Sequence, residues 1–207
     1  MKMKRTALIV FLLALASGIS AQLRMRDIFA QLPDSVLPLT TRNNRLDCID
    51  FIENGMEARV KNLFGDQVVL DSLTEDFMVL RTSEASCVEM KLFAEGTDTL
   101  ICVNRVYMGP VADSELKVFD TSWSFVRTVL RPDVARFVRS VGDIQPWTEE
   151  MADTMRMVRA EAEFLPLMRA TLSSASPGIV WTLQTSEFSK DIKKVAEKYL
   201  QPVKDDL

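Results

Sequence analysis

The sequence predicts an α+β domain, built as an antiparallel meander sheet with an N-terminal helix, an inserted helical segment, a C-terminal hairpin and a C-terminal helix. Three observations predict it. Apolar residues recur at helical spacing near both ends of the chain, the stretch from Ala58 to about Val126 breaks into short β-rich runs, and the connections between those runs hold a few residues each. Consecutive short runs joined this tightly pair as hairpins, and helices segregated from an antiparallel sheet make the α+β class.

The chain opens on a segment that is set apart from this fold. Lys2, Lys4 and Arg5 form a cationic start, Ala7 to Ala16 an unbroken apolar run, and Ser17 to Ala21 a small-residue tail suited to signal peptidase. Residues 1–21 read as a signal peptide and residues 22–207 as a single domain. The apolar run is far short of the roughly 20 residues that span a bilayer, so no integral membrane segment is expected after signal removal. Position 22 is Gln and the first cysteine is Cys48, so no lipid attachment is expected at the cleavage point.

Within the domain, the first helix is predicted from Asn44 to Gly55, with Asn44 as N-cap and Leu46, Ile49, Ile52 and Met56 facing the core. Strands follow at Ala58 to Leu63, Gln67 to Leu73, Phe77 to Thr82, Ser86 to Phe93, Thr99 to Tyr107, and Ser114 to Val126 with a break near Asp120 to Trp123. A short helix runs through Val134, Phe137 and Val138. Thr148 is the expected N-cap of a longer helix, with Glu149 and Glu150 complementing its dipole, Met151, Met155, Val158, Ala162 and Leu165 on one face, and Pro166 ending it. Trp147, just before, reads as a hydrophobic staple. The hairpin Leu167 to Leu172 and Ile179 to Gln184 sets Met168, Ala170 and Leu172 opposite Leu183, Trp181 and Ile179. The last helix is predicted to start near Ser186 and to present Phe188, Ile192, Val195, Tyr199 and Leu200 before stopping at Pro202.

Composition excludes much chemistry. The 207 residues contain no His, which removes Ser-His-Asp and Cys-His nucleophile activation, zincin helices and imidazole proton shuttles. Seven scattered glycines make neither a Walker loop nor a dinucleotide fingerprint. Without Lys2, Lys4 and Arg5 the 25 Lys+Arg fall to 22 against 29 Asp+Glu, a formal charge of −7, which argues against nucleic acid or an anionic membrane surface as partner. No cofactor and no metal site is expected. Asp47, Asp50 and Asn54 share one face of the first helix but lack the loop oxygens of a calcium site, so they read as a solvated face.

The run Pro33-Asp34-Ser35-Val36-Leu37-Pro38-Leu39, then Arg45-Leu46-Asp47-Cys48-Ile49-Asp50-Phe51, resembles the opening of a family of secreted proteins of unknown function from anaerobic gut and oral Gram-negative bacteria. Leu73-Thr74-Glu75-Asp76, Ser83-Glu84-Ala85-Ser86 and Val118-Phe119-Asp120-Thr121-Ser122-Trp123 extend the likeness over nearly all of the mature chain. The resemblance implies an exported domain, and it carries over no catalytic residue.

Candidate sites are few. The acid-rich set Asp71, Glu75, Asp76, Glu84 and Glu89 contains carboxylates of the kind that pair in glycoside hydrolysis, a mechanism that needs no His. Ser114-Glu115-Leu116-Lys117 has the Ser-x-x-Lys spacing of penicillin-binding proteins but lies in a β-patterned stretch without their other motifs. Among the tryptophans, Trp181 falls on the apolar side of its hairpin, whereas Trp123, between Ser122 and Ser124, is the candidate ligand-binding platform. Lys190, Lys193, Lys194 and Lys198 form a solvated basic side of the last helix.

Cys48 is expected to be buried and free at the edge of the first helix. Cys87 and Cys102 are expected on one face of their hairpin: Val88, Met90 and Leu92 must share the other face with Ile101 and Val103, which fixes an odd-sum register. A sum of 189 sets the two thiols directly opposite and allows a Cys87–Cys102 disulfide. The turn Glu95-Gly96-Thr97 favours 191 or more, which leaves both free. The function expected is a non-catalytic exported binding or interaction module of the cell envelope, with an envelope protein or a glycan as partner; the alternative is a His-free glycan hydrolase using paired carboxylates.

Overall fold

A computed structural model describes residues 23–140 and 148–207. The expected signal peptide and the expected staple Trp147 lie outside the described residues. The chain order is α1 (Met25–Ala30), α2 (Arg42–Glu53), β1 (Arg59–Lys61), β2 (Gln67–Leu73), β3 (Phe77–Ser83), β4 (Ser86–Glu95), β5 (Asp98–Met108), β6 (Ala112–Asp120), β7 (Phe125–Thr128), a 3₁₀ helix (Val134–Phe137), α3 (Glu149–Phe164), β8 (Met168–Ser173), β9 (Ser176–Leu183), α4 (Lys190–Tyr199) and β10 (Val203–Asp205). Strands β1 to β7 form one antiparallel sheet in sequence order, the expected meander. A second, three-stranded sheet has the order β10-β9-β8. The class is α+β.

The meander is covered on both faces. Met90 pairs with Val103 and Leu92 with Ile101, and this row packs with Met78, Leu80 and Val68 beneath Met25, Phe29, Cys48 and Ile49 of the two N-terminal helices. The alternate residues, including Cys102 and Leu116, face the C-terminal half and join Phe137, Val158, Ala162, Trp181, Ile192 and Tyr199 in a second core. The sheet is therefore the middle layer between two hydrophobic cores.

Several expectations are corrected. Helix α2 starts at Arg42 and is capped by Thr41 instead of Asn44: the Thr41 hydroxyl accepts the Asn44 N–H at 3.2 Å while the Asn44 side chain accepts the Thr41 N–H at 3.2 Å. This is a reciprocal capping box with Asn44 in the third position, and it moves the buried face to Arg45, Cys48 and Ile49. Met56 consequently lies past the helix and is 52% exposed. Helix α1 and strand β10 have no counterpart in the periodicity reading. The last helix begins at Lys190 behind Ser189, four residues later than Ser186.

In the C-terminal hairpin Met168 pairs with Leu183 and Ala170 with Trp181 as expected, and an irregularity between Thr171 and Ser173 then shifts the register towards the turn. Gly178 in β9 is where β10 comes close: a Cβ there would stand 2.3 Å from the Asp205 carbonyl oxygen. Absence of a side chain lets the third strand seat.

Candidate functional site

The β6–β7 corner is built on one carboxylate. Asp120 Oδ1 accepts the N–H of Ser122 and of Ser124 at 2.9 Å and the Ser122 hydroxyl at 2.7 Å. These donors hold its carboxyl below the usual range. The turn they fix forces Trp123 to φ 67°, a left-handed conformation that non-glycine residues seldom adopt. Its indole is half-buried, with its ring centroid 5.7 Å from that of Phe119, and Phe119 in turn meets Phe125 edge-on at 6.1 Å. Trp123, expected as an exposed platform, thus leans inward on Phe119, and its Nε1 is buried without a protein acceptor. The outward aromatic is Phe125, 58% exposed, followed by exposed Val126 on β7, the outermost strand of the meander. Sequence reasoning missed Phe125; its signal was a large aromatic at the start of a run beyond the break, in a strand with no successor to pair with.

The second candidate is a buried polar seam. Strand β8 is an edge of the small sheet, so alternate backbone groups have no partner in β9. Side chains from the meander supply partners. Asp113 Oδ1 accepts the Met168 N–H at 3.1 Å, Ser114 Oγ accepts the Ala170 N–H at 2.9 Å, and Asn104 Nδ2 donates to the Ala170 carbonyl at 2.9 Å. Glu89 Oε2 accepts the Leu172 N–H at 2.8 Å and Asn104 Nδ2 at 3.0 Å, and Lys91 Nζ donates to the Ser173 carbonyl at 2.9 Å. Asp113, Ser114, Asn104, Glu89 and Lys91 come from β4, β5 and β6 and act together as a substitute strand. Glu89, Lys91, Asn104 and Ser114 are all buried. Burial raises the Glu89 carboxyl, against the opposing pull of its two hydrogen-bond donors and of Arg169, whose guanidinium stands 3.9 Å away.

A family model described as a protein of unknown function, DUF3256, matches residues 16–205. The chain belongs to the DUF3256 family. No curated protein matches it. Among solved structures, a domain of an uncharacterized protein from Porphyromonas gingivalis W83 is similar, with 22% identity, a TM-score of 0.66, and 87% of this chain and 90% of that one covered. That likeness is one of fold.

In this DUF3256 member the remaining candidates are scattered. Among the acid-rich set, Asp71 is bound by Arg81 through two hydrogen bonds of 2.9 and 2.6 Å, and Asp76 pairs with Lys91 at 2.9 Å. Glu89 serves the seam, while Glu75 and Glu84 sit exposed in separate turns. Ser114 and Lys117 lie on opposite faces of β6, so the Ser-x-x-Lys spacing brings no amine to the hydroxyl; Lys117 pairs instead with Glu115 at 2.9 Å. Asp47 and Asp50 are exposed, and among the described residues no group of three Cys, Asp or Glu side chains is arranged to hold a metal ion. On α4, Lys194 reaches Asp191 at 3.4 Å, Lys193 the Ser186 carbonyl at 3.2 Å, and Lys198 lies over the Tyr199 ring.

The β4–β5 register has the odd parity expected, with Cys87 opposite Val106 and Lys91 opposite Cys102, a sum of 193. Cys87 and Cys102 share a face but are separated by four positions along the ladder, about 13 Å at strand rise, and both are free thiols. Burial pushes the Cys48 and Cys87 thiols up to about 11 and Cys102 up to about 12, so none is poised as a nucleophile.

Proposed function

We propose that the protein is a non-catalytic exported module of the cell envelope that binds a protein or glycan partner through the β6–β7 corner. One observation carries this reading: the buried side chains Glu89, Lys91, Asn104 and Ser114 are already committed to holding the C-terminal sheet, whereas the exposed apolar side chains Phe125 and Val126 lie on an open sheet edge. Trp123 is a positioning residue in this scheme. Its left-handed turn and its packing on Phe119 set the direction in which Phe125 projects.

The glycan hydrolase reading requires two carboxyls facing each other across a cleft. Asp71 and Asp76 are instead neutralised by Arg81 and Lys91, and Glu89 is enclosed between layers.

The test is capture from native envelope fractions with the mature protein and with its Phe125→Asp variant, alongside release of reducing sugar from envelope glycans. A component retained by the first and lost by the second is expected. Equal capture by both, or sugar release abolished by Glu89→Gln, would overturn the proposal.

A further inference from the structure

At the opposite edge of the meander from β7, two loops form an apolar prong. The β1–β2 turn carries Leu63, 63% exposed, and Phe64, 78% exposed. The Leu63 N–H donates to the Leu39 carbonyl at 3.1 Å, which ties the turn to exposed Pro38 and Leu39 in the loop ahead of α2. The turn is rigid. Asn62 Oδ1 accepts the N–H of Phe64 at 2.9 Å and of Asp66 at 3.0 Å, the Asn62 N–H donates to the Asp66 carbonyl at 2.8 Å, and Gly65 at φ 90° closes the bend. A buried Asn side chain therefore holds two large apolar residues mostly exposed to solvent. Flexible loops shed such exposure by collapsing; this one is pinned.

The base of the prong is cationic. Arg42, in the first turn of α2, and Lys61, at the end of β1, are exposed, and among the described residues neither side chain has an ion-pair or hydrogen-bond partner. The arginines on the neighbouring strands differ: Arg59 is held by Glu57 and Arg81 by Asp71. Of the nearby acids, Asp34 is engaged by buried Arg45, while Asp66, in the turn itself, is exposed and has no ion-pair partner among the described residues, so Arg42 and Lys61 leave a local excess of one positive charge over it.

We infer that this prong is a membrane-surface contact, which inserts Leu63 and Phe64 into the headgroup boundary of a bilayer containing anionic lipid while Arg42 and Lys61 meet the phosphates. Two mostly exposed apolar side chains in one turn, with unpaired cations in the segments that flank it, match the polarity gradient of a lipid interface. The mature chain is acidic, with 22 Lys+Arg against 29 Asp+Glu and a formal charge of −7, so repulsion limits the contact to the prong and keeps it reversible and salt-sensitive. The global charge balance argues against an anionic membrane as partner for the surface at large; the contact inferred here is confined to the prong and the two unpaired cations beside it.

The experiment is flotation of the mature chain with phosphatidylethanolamine vesicles, with and without phosphatidylglycerol. Binding is expected with phosphatidylglycerol, weakened at least about tenfold in a Leu63→Ser, Phe64→Ser double variant whose melting temperature is unchanged. Arg42→Glu with Lys61→Glu should remove the preference for the anionic lipid. Absence of flotation with either vesicle overturns the inference, as does undiminished binding by the double variant, or capture of a protein at the prong with no lipid binding. Phe125→Asp should leave flotation intact, so failure here and failure of the β6–β7 corner are told apart.

Discussion

The Glu89 carboxylate accepts the Leu172 N–H at 2.8 Å, across 83 positions of sequence. Replacing it with Leu leaves that N–H without an acceptor and takes one of the two acceptors from Asn104 Nδ2, a loss of about 2–3 kcal/mol by urea unfolding. Glu89→Gln keeps a carbonyl acceptor in place and should cost far less than Glu89→Leu.

The same carboxyl gives a pH signature. Its folded value is raised by burial, so the folded state holds the proton more tightly than the unfolded chain, whose value is about 4.3. Its favourable contribution is complete below that value and is lost as pH rises through the folded one. The stability of Glu89→Gln relative to the unsubstituted protein should therefore increase as pH rises above about 4. A flat difference in unfolding free energy over that range contradicts the assignment.

Trp181 is fully buried in the core between the sheets and Trp123 is half-buried at a corner. Trp181→Ala should lose about 3–5 kcal/mol, and Trp123→Ala less than half as much in parallel thermal melts. Trp123→Gly should be more stable than Trp123→Ala, because φ 67° is strained for Ala and free of strain for Gly.

Gly178→Ala drives a methyl group to 2.3 Å from the Asp205 carbonyl oxygen, where backbone has to move. A loss of about 1–3 kcal/mol is expected, with increased amide exchange at Val203–Asp205 as β10 detaches.

Cys48, Cys87 and Cys102 should all titrate as thiols under denaturing conditions and resist alkylation at neutral pH when folded, since burial raises all three. One titratable thiol in denaturant would mean that two of them bridge.

The meander was legible because its alternation is local: Val88, Met90 and Leu92 declare a shared face with no knowledge of what covers it. The opposite row, Cys87, Glu89 and Lys91, has the pattern of a solvent face, and no local property distinguishes a wet polar row from one that meets a second layer. Ser114 and Asn104 were opaque for the same reason, since their partner, the Ala170 backbone, is 56 and 66 positions away. Strand β10 is three residues long after Pro202, too short to display a period, and its place is set by Trp181 and Ile179 across the gap. Asn44 was misplaced by three positions because Thr41 and Asn44 are both good caps, and their reciprocal bonds decide between them.

The seam also dictates an order of assembly. Its donors and acceptors come from β4, β5 and β6, so the outer edge of Met168–Ser173, the edge that β9 does not pair, has no partner until those three strands have aligned. A nascent chain that has finished the meander but not yet emerged to Met168 displays on that face Glu89, Lys91, Asn104 and Ser114 interspersed with apolar groups. In that state the polar row interrupts what would otherwise be a continuous apolar face, the kind of surface on which incomplete sheets associate.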